Sequence, residues 1–325
     1  MFSYRSILKQ ALAIAWKHKY LWFFGLFASL AVAGGSMEYK FITQSLTQGL
    51  VDGTYQSLNG LLATSYLCQQ VWLGIIDLFS QNILIILNTL TILLLAVTLI
   101  SVFVWLAISS QAALVDGVKK IITTKKKFSL LSIREGLTNG GNHFWSVLGL
   151  NILIKILTSF AFFIVSLPLL FLVISDDSSF VVAYTILFVI FVPIAVSLSL
   201  IVKYAISCRV IENKSVMESL RVGLNLFKKN WLVSLEIAIV LFIISFLSSL
   251  AILLAISILF FPLLWLGIAY SINWLIFLML FLALLAAALF GSMFTTFQIA
   301  TWTDLYIRLK DNKGKAKLER IFQKK

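Results

Sequence analysis

Two ionisable side chains, Lys155 and Glu236, lie inside long apolar runs of the sequence, and the polar Asn151 stands one helical turn before the lysine. A charge held at hydrocarbon depth is expensive, so such residues pair with one another, snorkel to the interface or belong to a substrate or proton pathway. At about 1.5 Å per helical residue, Lys155 stands ~15 Å beyond Trp145 and Glu236 ~7.5 Å beyond Trp231. On adjoining, tilted helices the two could meet as a structural ion pair. With Asn151 they could equally line a polar cavity, and the residues alone leave both readings open.

Other chemistry finds little to stand on. His18 and His143 are the only histidines, and the chain has no H-E-x-x-H, no phosphate-cradling G-x-x-x-x-G-K-[ST], no G-x-G-x-x-G and no G-x-S-x-G. A hydrolase would have to rest on His143 or Asp304. Cys68 and Cys208 fall on opposite sides of the threading derived below, too far apart to pair or to share a metal. The sequence therefore predicts no enzyme, no metal site and no cofactor.

These residues are carried by an unusually apolar chain. Of 325 residues 61% are apolar and 12% charged, against roughly 45–50% and about 25% in an ordinary soluble domain. Several runs exceed the ~18 residues needed to cross a bilayer, and in lipid a span of this composition must be helical, because no water is there to satisfy its backbone. The alternation expected of barrel strands is absent. The fold class expected is all-α, a polytopic transmembrane bundle of about six spans: Tyr20–Gly34, Ile83–Ile108, Trp145–Ile174, Phe180–Ser207, Trp231–Leu259 and Trp274–Phe297. The whole chain, 1–325, reads as one integral membrane domain, with a bend at Pro262 between the last two spans and a basic tail over 298–325.

Orientation follows from the positive charge, which accumulates on cytoplasmic loops. Of 26 Lys and Arg residues, Lys40 alone falls on the far side of this threading; Lys155 stands well inside a span, and Lys203, near a span's cytoplasmic end, is counted with the loop that follows. The far side instead carries Glu38, Asp52, Asp77, Asp176 and Asp177. Both termini are therefore expected in the cytoplasm, and the net charge of +13 is read as attraction to anionic lipid head groups rather than to nucleic acid. Basic residues, an apolar run and Ala31-Val32-Ala33 also fit a cleaved signal peptide. The long charged region ahead of that run favours a retained span. The segment Gly35–Asn82 reads as extracytoplasmic, with Phe41, Ile42, Leu46 and Leu50 on one helix face.

Three stretches share a plan of a short amphipathic helix, a basic or polar step, a Trp and then a span. They run Ser6–Trp22, Ser132–Trp145 and Ser215–Trp231. Ser132-x-x-Glu135 and Ser215-x-x-Glu218 have the capping-box pattern that opens a helix, and the apolar faces suit a membrane interface. The pattern predicts a threefold repeat of interfacial helix plus two spans. Ala283, Ala287 and Gly291 form a small-residue stripe suited to close helix packing, while Pro168 and Pro193 are expected to kink their spans. Ile299, Trp302, Tyr306 and Leu309 form a stripe expected on a membrane-surface helix.

The stretch Tyr204-Ala205-Ile206-Ser207-Cys208-Arg209-Val210-Ile211-Glu212-Asn213-Lys214-Ser215-Val216-Met217-Glu218-Ser219-Leu220, continuing to Leu226-Phe227-Lys228-Lys229-Asn230-Trp231, resembles the membrane domain fused to some bacterial glycerophosphoryl diester phosphodiesterases and found alone in many bacterial membrane proteins. Ala11-Leu12, Trp16, Tyr20-Leu21-Trp22, Ala112 to Val118 and Leu305-Tyr306 are similar to other pieces of that group. The catalytic barrel of the fused members is missing. The resemblance implies a bacterial inner-membrane protein that handles lipid or supports a partner. The function expected is a non-enzymatic scaffold or membrane-modulating protein with membrane lipids as partners; the alternative is a permease or lipid transporter using Lys155, Asn151 and Glu236. The sequence names no protein partner.

Overall fold

The computed structural model describes residues 4–33, 83–124, 131–175 and 179–311, and every element among them is helical. In chain order these are α1 (Tyr4–Lys17), α2 (Leu21–Ala33), α3 (Ile83–Thr124), α4 (Leu131–Asn142), α5 (Phe144–Ser175), α6 (Ser179–Glu212), α7 (Val216–Lys229), α8 (Trp231–Ala269) and α9 (Asn273–Lys310). The whole of Gly35–Asn82, with Cys68, lies outside the described residues, as do 125–130, 176–178 and the residues after Asp311.

Five helices are long and apolar enough to cross a membrane: Ile86–Thr123, Phe144–Val165, Thr185–Glu212, Trp231–Ala269 and Asn273–Lys310. Their apolar stretches are largely uncovered by protein, with 11% of the most apolar part of α8 buried. Water would not tolerate so much contiguous exposed Leu, Ile and Phe, whereas lipid covers it at no cost. These are the spans of a multi-pass membrane protein. The described part of the first expected span, α2, is 13 residues, or about 20 Å at the helical rise, and its continuation lies outside the described residues.

The helices extend further than the sequence suggests. α3, with 42 residues, runs about 63 Å, twice the ~30 Å of hydrocarbon. It continues through Ser109 to Thr124, where a basic loop is expected. α8 runs straight through Pro262, the residue expected at a bend. The reversal comes instead at Tyr270–Ile272, where Ser271 adopts φ 52° and the Ile272 amide donates to the Gly267 carbonyl at 2.8 Å. Neighbouring groups re-satisfy backbone freed by a proline in a span, so Pro262 does not end the helix. α5 and α6 likewise remain helical through positions 168 and 193.

The described helices fall into two compact units. The second unit comprises Ala33–Val104 and Leu153–Leu198. Its interior is the pairing of α5 with α6 around Val165, Phe191 and Ala195, with the Phe162 and Phe191 rings 6.0 Å apart. The other comprises Met1–Val32, Trp105–Ile152 and Ser199–Lys325, and it holds most of the buried residues. There the overhanging ends of α3, α6 and α9 meet α1, α4 and α7.

Small residues set these contacts. α4 docks on α3 so closely that a methyl group at Gly140 would overlap the Ser109 carbonyl oxygen and stand 3.2 Å from the Ala113 nitrogen. α7 docks on α6 in the same manner: a methyl at Gly223 would meet the Ile201 oxygen at 2.8 Å and the Ala205 nitrogen at 3.1 Å. α1 packs on α9, with Ala11 and Ala15 fully buried. Each pair of small residues is spaced by four, Ala11/Ala15, Gly136/Gly140 and Ser219/Gly223, so one helix face carries both.

Ser215 caps α7, its hydroxyl accepting from the Glu218 amide at 3.3 Å, while the Glu218 carboxylate turns to Lys214 at 3.5 Å. Ser132 differs: it lies inside the first turn of α4, which begins at Leu131, and Glu135 reaches Lys120 at 3.0 Å.

Substituting Gly140 or Gly223 by Ala forces two backbones apart, at about 1–3 kcal/mol. Gly149→Ala and Gly291→Ala have open space and gain up to about 1 kcal/mol of helix propensity. Thermal melts of the four purified variants in detergent should separate into these two groups.

Candidate functional site

The most densely connected part of the molecule is the basic end of the first unit, and its axis is α9. Ala300 through Tyr306 are buried at seven consecutive positions, two full turns with no face in solvent. The stripe of Ile299, Trp302, Tyr306 and Leu309 expected on a membrane surface is therefore interior packing, and residues 298–310 are the last part of the spanning helix rather than a tail. Thr296, Thr301 and Thr303 return their hydroxyls to the carbonyls of Ser292, Phe297 and Ile299, each at 2.8 Å. That closes their hydrogen bonds on the helix itself and leaves its surface free for close neighbours.

Four helices surround this axis. α2 approaches at Gly25, where an added methyl would overlap the Ser292 carbonyl, and the Thr296 hydroxyl also reaches the Leu21 carbonyl at 3.3 Å. α1 is held by Arg308, whose guanidinium donates to Gln10 at 2.7 Å, to Ser6 at 3.3 Å and to the buried Asp304 at 2.9 Å. α6 sets the fully buried Tyr204 edge-on to Trp302, centroids 6.1 Å apart, with the Lys203 ammonium 5.1 Å from the Trp302 ring. α8 packs alongside α9 and is tied to α6 by the Tyr204–Ser234 hydroxyl pair at 2.7 Å.

Glu212, at the end of α6, gathers three partners. It accepts from the Tyr306 hydroxyl and pairs with Lys310 at 2.7 Å and Lys214 at 3.4 Å. The bond with Glu212 is the main cause holding the Lys214 ammonium above its ordinary pKa. α3 joins through Lys119, which donates to the Ile211 carbonyl at 2.8 Å. It meets α4 through Lys120, 3.0 Å from both Asp116 and Glu135, and through Asn139, whose amide donates to Asp116 at 3.2 Å.

The three residues singled out as a polar intramembrane site have separate surroundings. Asn151 donates to the Gln111 side chain at 2.9 Å and to the Val147 carbonyl at 3.0 Å, tying α5 to α3. Glu236, half-buried on α8, accepts from the Tyr4 hydroxyl of α1. Lys155 is exposed and belongs to the second unit. Asn151 and Glu236 thus serve as joints between helices of the first unit.

His143 stands between α4 and α5, partly buried, with Arg209 and Asp116 acting on it. Its Nδ1, the Arg209 Nε, Asp304 Oδ2 and the hydroxyls of Ser109, Ser110 and Ser219 are buried without a hydrogen-bond partner among the described residues. Cys208 is a buried free thiol on α6. Among the described residues no three His, Cys, Asp or Glu side chains gather as metal ligands. What the arrangement does chemically is hold helix ends together through charge-assisted and side-chain hydrogen bonds.

Sequence reasoning passed over Gln111 and Asp116, read Tyr306 as part of a surface stripe and placed Arg308 in the basic tail. One signal was there to read: Thr295, Thr296, Thr301, Thr303 and Asp304 put small polar groups on every side of one helix, which a one-sided surface helix would not do.

Burial first, and then the Arg209 charge, lower the His143 pKa below 6.5, with Asp116 opposing; burial first and then Lys17 lower that of His18. The unfolded chain therefore binds more protons than the folded one as pH falls below about 6.5, and stability decreases in that direction. The melting temperature should be flat above about pH 7 and drop toward pH 5, and His143→Gln should shallow the drop. Protein-family models, curated proteins and solved structures were all compared with the chain, and none matches it.

Proposed function

We propose that this chain is a non-enzymatic, six-span protein of a bacterial cytoplasmic membrane, with both termini in the cytoplasm, acting as a scaffold or membrane-modulating protein through the helical assembly at its basic end. The observation that carries the reading is the all-round burial of Ala300–Tyr306. A chain that only needed to sit in lipid would not build a second, polar interior beyond its spans.

The docking pattern supports a threefold repeat. α4 and α7 each rest on the long helix before them, and α1 rests on α9, the last one. On this reading each unit is a short helix and two spans, with the first span starting in α2, and α4, α7 and α1 each rest on the last helix of another unit. The distribution of Lys and Arg supports the orientation, and the resemblance to the membrane domain of bacterial glycerophosphoryl diester phosphodiesterases agrees with an envelope role.

Transport through Lys155, Asn151 and Glu236 makes a different demand. Purified protein in liposomes should pass neither a fluorescent phospholipid across the bilayer nor small solutes above protein-free controls. Lys155→Ala should leave the melting temperature unchanged, whereas Glu236→Ala should lower it, through a loss of about 1 kcal/mol of hydrogen bonding. Flux that disappears in Lys155→Ala or Glu236→Gln protein of normal stability would replace the scaffold reading with a transporter.

A further inference from the structure

We propose that the groove between Trp105 of α3 and the outer face of α4 is a binding site for one anionic phospholipid. The groove holds about 680 Å³ and is lined by Trp105, Ile133, Arg134, Leu137, Thr138, Gly141 and Asn142, within the ~300–1,000 Å³ usual for small-molecule sites.

Its lining is two-sided by construction. Arg134, Thr138 and Asn142 recur at four-residue spacing, exposed along one row of α4. They offer a guanidinium, a hydroxyl and a carboxamide, all donors to phosphate oxygens. Ile133, Leu137 and Gly141 form the adjacent row, partly buried. Gly141 keeps that row low: a methyl there would touch the Trp105 ring at 3.6 Å, so a larger side chain would fill the space an acyl chain or glycerol backbone takes.

Position and charge choose the occupant. Directly before Trp105 in the same helix, Leu99, Ile100, Val102, Phe103 and Val104 are exposed, so the helix leaves its lipid-facing stretch at the groove, and an indole at that level is the usual marker of the head-group layer. Lys120 holds both Asp116 and Glu135 at 3.0 Å, which leaves one net negative charge on that cluster, and neither carboxylate lines the groove. Arg134 is the only charged residue of the lining. A soluble anion would gain nothing from Ile133, Leu137 and Trp105, and a neutral lipid nothing from the net charge of Arg134. A phosphate monoanion with attached acyl chains uses both.

This inference goes beyond the scaffold reading and needs only that the chain sits in a membrane. The test is native mass spectrometry of the full chain in mild detergent with equal parts of phosphatidylglycerol and phosphatidylcholine. Wild type should retain one phosphatidylglycerol per chain in clear preference to phosphatidylcholine. Arg134→Gln should lower that preference about threefold to tenfold, and Thr138→Trp, which fills the groove from an exposed position, should lower retention of both lipids. Arg221→Gln, an exposed arginine on α7, should change neither. Both groove substitutions sit on the exposed side of α4, and an unchanged melting temperature verifies that the fold is kept. Equal retention of the two lipids by wild type, unaltered selectivity in Arg134→Gln, or an equal loss in Arg221→Gln would overturn the proposal.

Discussion

A helix that is buried on all sides has to let every neighbour approach without stranding a polar group, and the end of α9 meets that condition over Ala300–Tyr306. Its threonines close their hydroxyls on the turn behind them. Two of its ionisable groups, Asp304 and Arg308, bind each other, and Arg308 also reaches α1 through Gln10 and Ser6. The remaining contacts of the unit are arranged around this axis. Tyr204 packs on Trp302, Glu212 collects Tyr306 and Lys310, and Gly25 admits α2 against Ser292. Leaving a buried charge without its partner typically costs several kcal/mol, so loss of Arg308 would strip the buried Asp304 of its partner and release α1 at the same time.

Two solvents explain why the molecule looks unlike a soluble bundle. Along the spans, lipid replaces protein as the cover for Leu, Ile and Phe, and little driving force brings those helices together. Toward the basic end, where helices this long outrun the ~30 Å of hydrocarbon, water is the competing medium, and burial of Ile7, Ile14, Leu114, Val118, Tyr204, Leu305 and Tyr306 carries the ordinary hydrophobic gain of ~25 cal/mol per Å². Close packing is not confined to that end, since Gly25 admits α2 to the Ser292 carbonyl as Gly140 admits α4 to that of Ser109.

The helical class and the positions of α1, α4 and α7 were legible because their patterns are one-sided: small and apolar residues recur every third or fourth position between charges. The reach of α3 and α9 was not. Ser109-Ser110-Gln111 and Thr301-Trp302-Thr303-Asp304 resemble the polar end of a span, and nothing local distinguishes a polar residue facing water from one facing a partner helix. The Ile299–Leu309 stripe failed for a related reason, since an apolar periodicity fits a bilayer surface and a protein interior equally well. Pro262 misled because a proline that would break a helix in water is tolerated in a span. Of the residues read as a polar site, Asn151 and Glu236 have partners, Gln111 and Tyr4, that lie 40 and 232 residues away, beyond any local pattern.

The account stands or falls on whether the end of α9 is an interior helix. Single cysteines placed in turn at Thr301, Trp302, Thr303, Asp304, Leu305 and Tyr306, in a chain with Cys68 and Cys208 replaced, can be reacted with a polar maleimide in open membrane vesicles alongside a reference cysteine at the exposed Asp311. An interior helix leaves all six slow relative to position 311, with reactivity recovered together on denaturation. A helix lying on the membrane surface must turn one face to water, and fast labelling that recurs every three or four positions would contradict the account.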